Sequence, residues 1–445
     1  MSVLSRKARG EDSIGELSRL ISPRTGIIRS LSRISRGIEE PNPPVICQAT
    51  LSHFDFRAAK AIERTVGGKG ETDHQAMMSA VGEALERYCS SQFAPGSLIQ
   101  ATPVELGDEA IPPRDFVLYS NRQYSDERFR YRRPDDQTPI AWTRACELPN
   151  GRSLLAPASL TYLNYSGDRG TEFFTPPTSN GLAAGQDLAS AVLGSLCELI
   201  ERDAFLVVWM NRLSVPRIDY SGVNGISREI ESHYARFGVE AVVFNLTMDI
   251  DVPVMMAITL DRSGSGPAAV VGLGCHPDPA VAVKKALMEV CQVRPSESLK
   301  FVKDPPQQRL HGYKEIHTLE DHAGFVAIPA NLREFDFLIE NPKVERIQDL
   351  ENHATGDPGQ DLSRCVVSLQ KAGSRVAYVD LTTPDIEPFG VRVVRGIATG
   401  LQPMHFGFGE ERLGGTRLFE VPARIGYAAS IRSEADLNPC PHPLA

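Results

Sequence analysis

The stretch that decides the fold reads Gly194-Ser-Leu-Cys-Glu198-Leu-Ile-Glu201-Arg202-Asp203. On a helical wheel, apolar residues cover most directions around it: Val192, Leu193, Leu196, Cys197, Leu199, Ile200, Val207 and Val208. A helix that is apolar on nearly all sides is a buried helix, so we predict a core helix over residues 186–210. Glu198 and Glu201 occupy the remaining stripe, and buried carboxylates need partners because an unpaired buried charge is costly.

Two other segments repeat this spacing, with an acidic residue at i and an acidic residue or an amide at i+3. They read Ser79-Ala-Val-Gly-Glu83-Ala-Leu-Glu86-Arg87 and Lys285-Ala-Leu-Met-Glu289-Val-Cys-Gln292-Val-Arg294. Residues three apart project from one helix face. A solvated face is the alternative for Glu83 and Glu86 taken alone, since their apolar stripe lies opposite. The three segments together predict carboxylates that converge on one cleft, an arrangement that suits Mg²⁺ and the phosphates it carries.

Basic and Gly-rich segments accompany the predicted helices. Lys285, Arg202 and Arg294 would suit a polyphosphate. Gly67-Gly68-Lys69-Gly70 precedes the first helix, and Thr178-Ser179-Asn180-Gly181 precedes the second. Backbone amides at such loop-to-helix junctions readily face an anion. Neither segment is a Walker A loop, because the required G-x-x-x-x-G-K-[ST] string is absent from the sequence.

Composition excludes several classes of protein. The chain has 445 residues, 42% of them hydrophobic and 23% charged, as is usual for a globular protein. A formal charge of −9 argues against nucleic-acid binding, which needs excess Lys and Arg. The eight cysteines form no C-x-x-C pair, which favours reduced, buried thiols. No membrane partner is predicted, because no apolar run reaches about 18 residues. With no apolar signal core at the N-terminus, we expect a cytoplasmic protein.

Segments of strand and helix character alternate from about residue 46 onward. The predicted fold class is α/β (α+β), with mixed β-sheets and packed helices in one catalytic unit over residues 46–445, after an N-terminal extension over 1–45. Strands are predicted at 242–244, 252–257, 268–271 and 376–379, and helices at 74–92, 186–210, 226–237 and 278–296. Irregular or peripheral structure is predicted at 104–137 and 302–362.

Three blocks of this sequence resemble the YcaO family. G-K-G followed by S-x-x-x-E-x-x-E-R, S-N-G-x-A-x-G followed by E-x-x-E-R-D, and A-L-x-E-x-x-Q-x-R occur in order from Lys69 to Arg294. Residues 384–402 also resemble the family's C-terminal region, so the resemblance covers about 46–445.

The resemblance implies a site for ATP and Mg²⁺ between the blocks. The implied metal ligands are Glu83, Glu86, Glu198, Glu201 and Glu289. The implied nucleotide contacts are Lys69, Ser79, Ser179, Asn180, Arg202, Lys285, Gln292 and Arg294. Lys285 stands where Arg is common, which keeps the charge but loses bidentate geometry.

The C-terminal segment reads Asn438-Pro439-Cys440-Pro441-His442-Pro443-Leu444-Ala445. By itself, a Pro-rich terminus is usually a disordered tail. Azoline-forming members of the family commonly end in a P-x-P-x-P tail that enters the active site. The resemblance therefore implies catalytic roles for Pro441, His442, Pro443 and Ala445, with the base at His442 or at the terminal carboxylate.

The resemblance implies an ATP- and Mg²⁺-dependent cyclodehydratase. Such an enzyme converts Cys, Ser or Thr of a ribosomal precursor peptide into thiazoline or oxazoline rings by phosphorylating the backbone amide oxygen. The expected partners are a precursor with a leader, a leader-binding protein resembling ubiquitin-activating enzymes, a flavin-dependent azoline oxidase and a second copy of the chain. The alternatives are an enzyme of the same family that forms thioamides or amidines, and a non-catalytic nucleotide-binding scaffold of a peptide-modifying complex.

Overall fold

Strands and helices alternate along the part of the chain that the structure describes. The computed structural model describes residues 16–52, 65–165, 167, 170–223 and 225–444. The strands are β1 Ile28–Arg33, β2 Val45–Leu51, β3 Thr65–Gly70, β4 Ile99–Ala101, β5 Ile140–Glu147, β6 Ser153–Pro157, β7 Leu182–Gly185, β8 Arg217–Asp219, β9 Val239–Asn245, β10 Val254–Asp261, β11 Ala269–Cys275, β12 Val344–Arg346, β13 Val376–Asp380 and β14 Arg392–Ala398. The helices of eight residues or more are α1 Asp73–Cys89, α2 Leu188–Asn211, α3 Ile226–Arg236, α4 Pro279–Lys303, α5 Leu319–Ala327, α6 Pro358–Lys371 and α7 Arg417–Arg424.

The strands form three sheets, in the orders β1-β2-β3, β11-β10-β9-β8-β12 and β4-β5-β13-β14-β7, with β6 paired to β5. Most neighbours are antiparallel, and β12 runs parallel to β8. Helix α1 packs on β2 and β3, α2 on β7 and β14, and α4 on β10 and β11. Each sheet therefore carries one of the three acid-bearing helices, and the predicted α/β (α+β) class is confirmed.

The predicted helices and strands all coincide with observed elements, with shifted boundaries. Two sequence predictions are wrong. Gly67–Gly70 is not a loop but part of β3, paired residue by residue with β2. Residues 302–362 are not all irregular, because α5 lies within them and α6 begins there. A capping box marks the start of α5, since Thr318 and Asp321 bond each other's backbone amides, and this signal was present in the sequence.

Glycines in the strands let the acid-bearing helices lie close to their sheets. A Cβ built on Gly68 of β3 would lie 2.1 Å from the backbone nitrogen of Ala80 in α1. One built on Gly274 of β11 would lie 2.2 Å from the carbonyl oxygen of Ala282 in α4. Both distances are well inside van der Waals contact, so the two helices occupy positions that only glycine in the facing strand permits.

Helix α2 forms the centre of the largest hydrophobic cluster, as its apolar sequence predicts. The Asp187 side chain caps the helix by accepting a hydrogen bond from the Ser190 amide. Near the other end, buried Asp203 pairs with Arg417 of α7 at 2.6 Å. This ion pair attaches the C-terminal part of the chain to the core helix.

Both ends of the described chain are packed against the body. In the N-terminal extension, β1 pairs with β2 and so completes the sheet beneath α1. At the other end the side chains of Cys440, His442 and Leu444 are buried, and the Trp209 indole donates a hydrogen bond to the Cys440 carbonyl. The tail is therefore ordered, whereas a Pro-rich terminus alone indicated disorder. Ala445 lies outside the described residues.

All eight cysteines are free thiols, and all but Cys146 are buried. Among the described helices, none combines the length and the apolar character needed to cross a membrane.

We predict that Gly68→Ala destabilises the protein by about 1 to 3 kcal/mol, because the new methyl group must displace the α1 backbone. Gly37→Ala is the control, since a Cβ there meets nothing within 4 Å. Urea unfolding followed by circular dichroism measures both. Equal midpoints for the two variants would show that α1 is not held by this close approach.

Candidate active site

Five glutamates converge where α1, α2 and α4 come together. Glu83 and Glu86 lie on α1, Glu198 and Glu201 on α2, and Glu289 on α4. Glu86 interacts electrostatically with Glu83 and Glu198, and Glu201 interacts with Glu198 and Glu289. The three helices therefore bring together the carboxylates that the sequence placed on separate segments.

Basic side chains pair with these carboxylates. Lys69 of β3 lies 3.2 Å from Glu289, which joins the first sheet to α4. Arg202 lies 3.8 Å from Glu198 and 3.7 Å from Glu201. On α1, Arg87 lies 3.3 Å from Glu83. The carboxylate cluster is thus partly neutralised by residues of the same blocks.

Backbone amides of β7 and of the turn before it also face the cluster. The Ala184 amide donates to Glu86 at 2.7 Å, and the Gly181 amide donates to Glu198 at 2.9 Å. The sequence predicted that amides of this segment face an anion. In the structure the anions they face are glutamates of α1 and α2.

The pKa values of these carboxyl groups show how crowded the cluster is. Burial, together with the charges of Glu83 and Glu198, raises the pKa of Glu86 to about 8. Burial and the charge of Glu289 raise the pKa of Glu201 to about 7, against the opposing charge of Arg202. For Glu289, burial is outweighed by Lys69 and Arg202, so its pKa is lowered. Without a bound cation, the cluster therefore holds protons near neutral pH.

Other residues predicted to bind the nucleotide are distributed around the cluster. Lys285 donates to the Cys275 carbonyl at 3.0 Å and interacts with Glu201. The Gln292 side-chain amide lies beside Gly67 of β3, where a Cβ would be only 2.5 Å from it. Asn180 has a buried side-chain oxygen with no hydrogen-bond partner among the described residues. These three residues lie on elements that border the acids.

For three other predicted residues the structure gives different surroundings. Arg294 is buried, and its charge is already compensated by Asp261 at 3.2 Å and Glu40 at 3.5 Å. Such a paired guanidinium is not available to a polyphosphate, so the structure does not support the nucleotide contact predicted for Arg294. Ser79 is exposed on α1. The Ser179 carbonyl accepts a hydrogen bond from the Leu182 amide at the start of β7.

Arg395 of β14 is a member of the site that the sequence analysis assigned no role. It donates to the backbone carbonyls of Asn180 at 2.6 Å and Thr178 at 2.8 Å, and it interacts with Glu198 and Glu86. Burial lowers its pKa to about 10, which the glutamates only partly oppose. The available signal was a charged residue in the middle of the apolar strand Val393-Val-Arg-Gly-Ile-Ala398.

His442 lies in a buried cluster of imidazole rings instead of an open site. Its ring centroid is 4.2 Å from that of His322 and 4.5 Å from that of His405. One ring nitrogen bonds the His405 carbonyl, and burial holds the pKa of His442 well below its usual value. Arg202 is close enough to influence it, so the tail does approach the acid cluster. The packing gives His442 a structural role, and its role as a base stays a prediction, as do the catalytic roles of Pro441 and Pro443.

The donor set fits magnesium bound together with phosphates better than magnesium bound by protein alone. Within the described part of the chain, no three His, Cys, Asp or Glu side chains are grouped closely enough to hold a metal ion. Mg²⁺ usually takes one or two carboxylates and completes its shell with substrate phosphates and water. Carboxyl groups of three helices that interact in pairs and have raised pKa values at Glu86 and Glu201 fit that mode of binding.

Comparison with known proteins places this geometry in a family. A family model described as "YcaO cyclodehydratase, ATP- and Mg²⁺-binding" matches residues 67–402. A protein of Methanothermobacter thermautotrophicus, described only as uncharacterized, is 28% identical over 354 residues, which are 78% of this chain and 83% of that protein.

Two solved structures resemble the whole described fold. One is a heterocyclase in complex with substrate and cofactor, with a TM-score of 0.82 and 28% identity. The other is the heterocyclase TruD, with a TM-score of 0.71 and 26% identity. Each comparison covers 98% of this chain, but only 57% of the first heterocyclase chain and 54% of the second. The chain therefore spans little more than half the length of these two structures.

We predict that the metal-free protein becomes less stable as pH rises from about 5 to 9. Because the pKa of Glu86 is about 8 in the folded protein and 4.5 ordinarily, the folded state binds more protons than the unfolded state between these values. Glu86 makes its full contribution to the free energy of unfolding below its unfolded pKa. This contribution is lost as the pH rises through its folded pKa. Glu86→Gln keeps an acceptor for the Ala184 amide and removes this loss, so its melting temperature should fall less.

Differential scanning calorimetry of both proteins in EDTA measures this effect, with Glu127→Gln at an exposed position as the control. If Glu86→Gln and wild type lose the same stability between these pH values, the carboxyl group of Glu86 is not protonated in the folded protein.

Proposed function

Because the chain belongs to the YcaO cyclodehydratase family, we propose that it is an ATP- and Mg²⁺-dependent enzyme that forms azoline rings from Cys, Ser or Thr residues of a peptide. The resemblance to two heterocyclases above 25% identity supports this reaction over others in the family. A peptide-modifying enzyme of this kind would act in the cytoplasm, where ATP and reduced thiols coexist.

One observation carries the proposal: glutamates of three helices meet beside lysine and arginine side chains from the same sequence blocks. A structural ion-pair network would also contain both charges. Here, however, burial raises the pKa values of Glu86 and Glu201 to about 8 and about 7, and the charges of neighbouring glutamates add to the effect. Perturbed carboxyl groups of this kind are typical of sites that bind a ligand.

Magnesium would be held by carboxylates of the cluster, with Glu83, Glu86, Glu198, Glu201 and Glu289 as the candidates. When bound, the cation would neutralise the triphosphate and hold its phosphates in place. Lys69 and Arg202 are partly paired and could turn to phosphate oxygens once cations occupy the carboxylates. Lys285 is held at the end of β11 by the Cys275 carbonyl, a position from which its ammonium group adds positive charge beside Glu201.

The proposed reaction removes one oxygen atom from the peptide backbone. The Cys, Ser or Thr side chain attacks the preceding carbonyl carbon, and the resulting oxyanion takes the γ-phosphoryl group of ATP. The attack itself closes the ring, and the side chain loses its proton. The carbon–oxygen bond then breaks, phosphate leaves with the former amide oxygen, and the carbon–nitrogen double bond forms as the amide nitrogen loses its proton. The protein contributes mainly by positioning the reactants and by supplying positive charge near the oxyanion.

We predict that Glu201→Gln and Glu198→Gln each reduce peptide-stimulated ATP turnover by at least about 100-fold, the effect expected for loss of a charged group from such a site. Glutamine keeps the size of glutamate and can still accept a hydrogen bond, including the one from the Gly181 amide to residue 198. Release of phosphate measures turnover, and circular dichroism checks the fold.

Glu127→Gln is the matched control, because Glu127 is an exposed glutamate remote from the three helices in sequence. Turnover within twofold of wild type in both site variants would remove the carboxylates of α2 from the mechanism.

Ring formation itself is tested by intact-mass analysis. We expect a candidate precursor peptide incubated with this chain, ATP and Mg²⁺ to lose the mass of one water molecule per ring. The expected leader-binding partner can be tested in the same assay. We propose that a leader-binding partner increases the yield of rings. Exchange of oxygen for sulfur, or no mass change with the partner present, would contradict ring formation.

The precursor is proposed to carry a leader for that partner. An azoline oxidase and self-association of the chain are further proposals, the first testable by the mass assay and the second by light scattering. Added flavin-dependent oxidase would remove two hydrogens per ring, and light scattering would give the number of copies of the chain.

A further inference from the structure

A cavity of about 760 Å³, including its open mouth, lies next to the acid cluster. Asn180 and Arg395, which border the acids, form one part of its lining, and Leu199 of α2 lies between Glu198 and Glu201 in sequence. Gln402 and Arg412, from the segment after β14, form another part. The space inside it that can hold the centres of water-sized molecules is about 80 Å³.

Arg412, which lines this cavity, is a buried cation whose hydrogen-bonding groups are only partly satisfied. Its side chain is only 5% exposed, and its Nε and Nη2 atoms have no hydrogen-bond partner among the described residues. It forms no ion pair with any described carboxylate, and the neighbouring group that bonds its guanidinium is the Tyr119 hydroxyl. A buried guanidinium without an anion is costly, so a ligand that supplies the negative charge would be favoured here.

The free atoms of Arg412 indicate which anion fits. Nε and Nη2 lie on one edge of the guanidinium plane, and two parallel N–H groups on one edge match the two oxygens of a carboxylate. No described residue that lines the cavity is Asp or Glu, so the protein offers no carboxylate of its own there.

The rest of the lining suits a peptide. Gln402 and Asn180 each have a buried side-chain oxygen without a partner, and these oxygens can accept hydrogen bonds from amide N–H groups. The apolar walls include Phe116, Leu160 and Leu401, which suit side chains and α-carbons better than a triphosphate. A peptide supplies N–H groups for the two acceptor oxygens and a carboxylate for the Arg412 guanidinium.

We propose that this cavity binds the substrate peptide next to the acid cluster, and that Arg412 determines specificity by binding a peptide carboxylate through Nε and Nη2. The inference rests on the proposed function, because it takes the substrate to be a peptide. The carboxylate comes either from the peptide C-terminus or from an acidic residue near the modified position.

The test measures binding of three fluorescein-labelled peptides without turnover. They are Gly-Cys-Gly-Gly with a free C-terminal carboxylate, the same peptide as its C-terminal amide, and the amide of Gly-Cys-Glu-Gly. Fluorescence anisotropy gives the dissociation constant of each with wild type, Arg412→Gln and Arg412→Lys. Wild type should bind at least one carboxylate-bearing peptide about 10-fold more tightly than the plain amide, as expected for a charged hydrogen bond.

Arg412→Gln should bind all three peptides equally, and Arg412→Lys should recover only part of the difference because it lacks the planar fork. Preference for the free C-terminus or for the glutamate peptide identifies the source of the carboxylate. Arg128→Gln is the matched control, since Arg128 has a side chain that is 92% exposed.

Equal binding of the three peptides by wild type would overturn the inference, and this result does not depend on the variants folding. A variant that weakens binding of ATP but leaves the peptides unaffected would also overturn it, because the cavity would then belong to the nucleotide. Since none of these measurements requires ATP hydrolysis, failure here leaves the glutamate and mass tests of the proposed function standing.

Discussion

The partial burial of neighbouring carboxylates, to which their mutual repulsion adds, is the constraint on which the candidate site depends. Carboxylates on α1, α2 and α4 approach one another in an environment where charge is poorly screened, so each needs compensation. Lys69, Arg202 and two backbone amides of the β7 segment provide part of it. The part that remains appears as the raised pKa values of Glu86 and Glu201. A site in this condition has a physical reason to take up divalent cations, which a fully balanced ion-pair network lacks.

Close packing of helices on sheets makes that convergence possible. Each acid-bearing helix belongs to a different sheet, so the site exists only where three sheet–helix units meet. Glycines of β3 and β11 bring α1 and α4 against their strands, and β14 approaches α2 at Gly396, where a Cβ would lie 2.2 Å from the Ser195 hydroxyl oxygen. The same contact places the Gly181 turn, since Ser195 donates to its carbonyl. The close packing of backbone segments therefore also fixes the positions of the charged groups in the site.

The acid cluster and the cavity share structural elements, which explains how a nucleotide and a peptide could meet. The backbone carbonyl of Asn180 accepts a hydrogen bond from Arg395, and Asn180 also lines the cavity. Arg395 lies between the glutamates and the cavity, where its charge could act on either reactant. On the other side, Asp203 anchors the amide of Gln402, and Gln402 bonds the backbone of Arg412. A rigid chain of contacts thus runs from the core helix to the proposed peptide site, as positioning of two substrates requires.

Local sequence determined the helices, the central strands and the acids of the site, because helix and strand periodicity and the i, i+3 spacing are properties of neighbouring residues. It also identified the family, from three short blocks. Tertiary structure alone decided the rest. Arg294 has the sequence context of a phosphate ligand, yet long-range pairing with Glu40 and Asp261 engages it. The Gly67–Gly70 segment has the composition of a loop, yet pairing with β2 makes it a strand. A charged residue within an apolar strand was the local signal for Arg395, but its role could not be read from it, because its partners Asn180 and Thr178 come from a distant part of the chain. The neighbour of Arg412, Tyr119, is likewise distant in sequence.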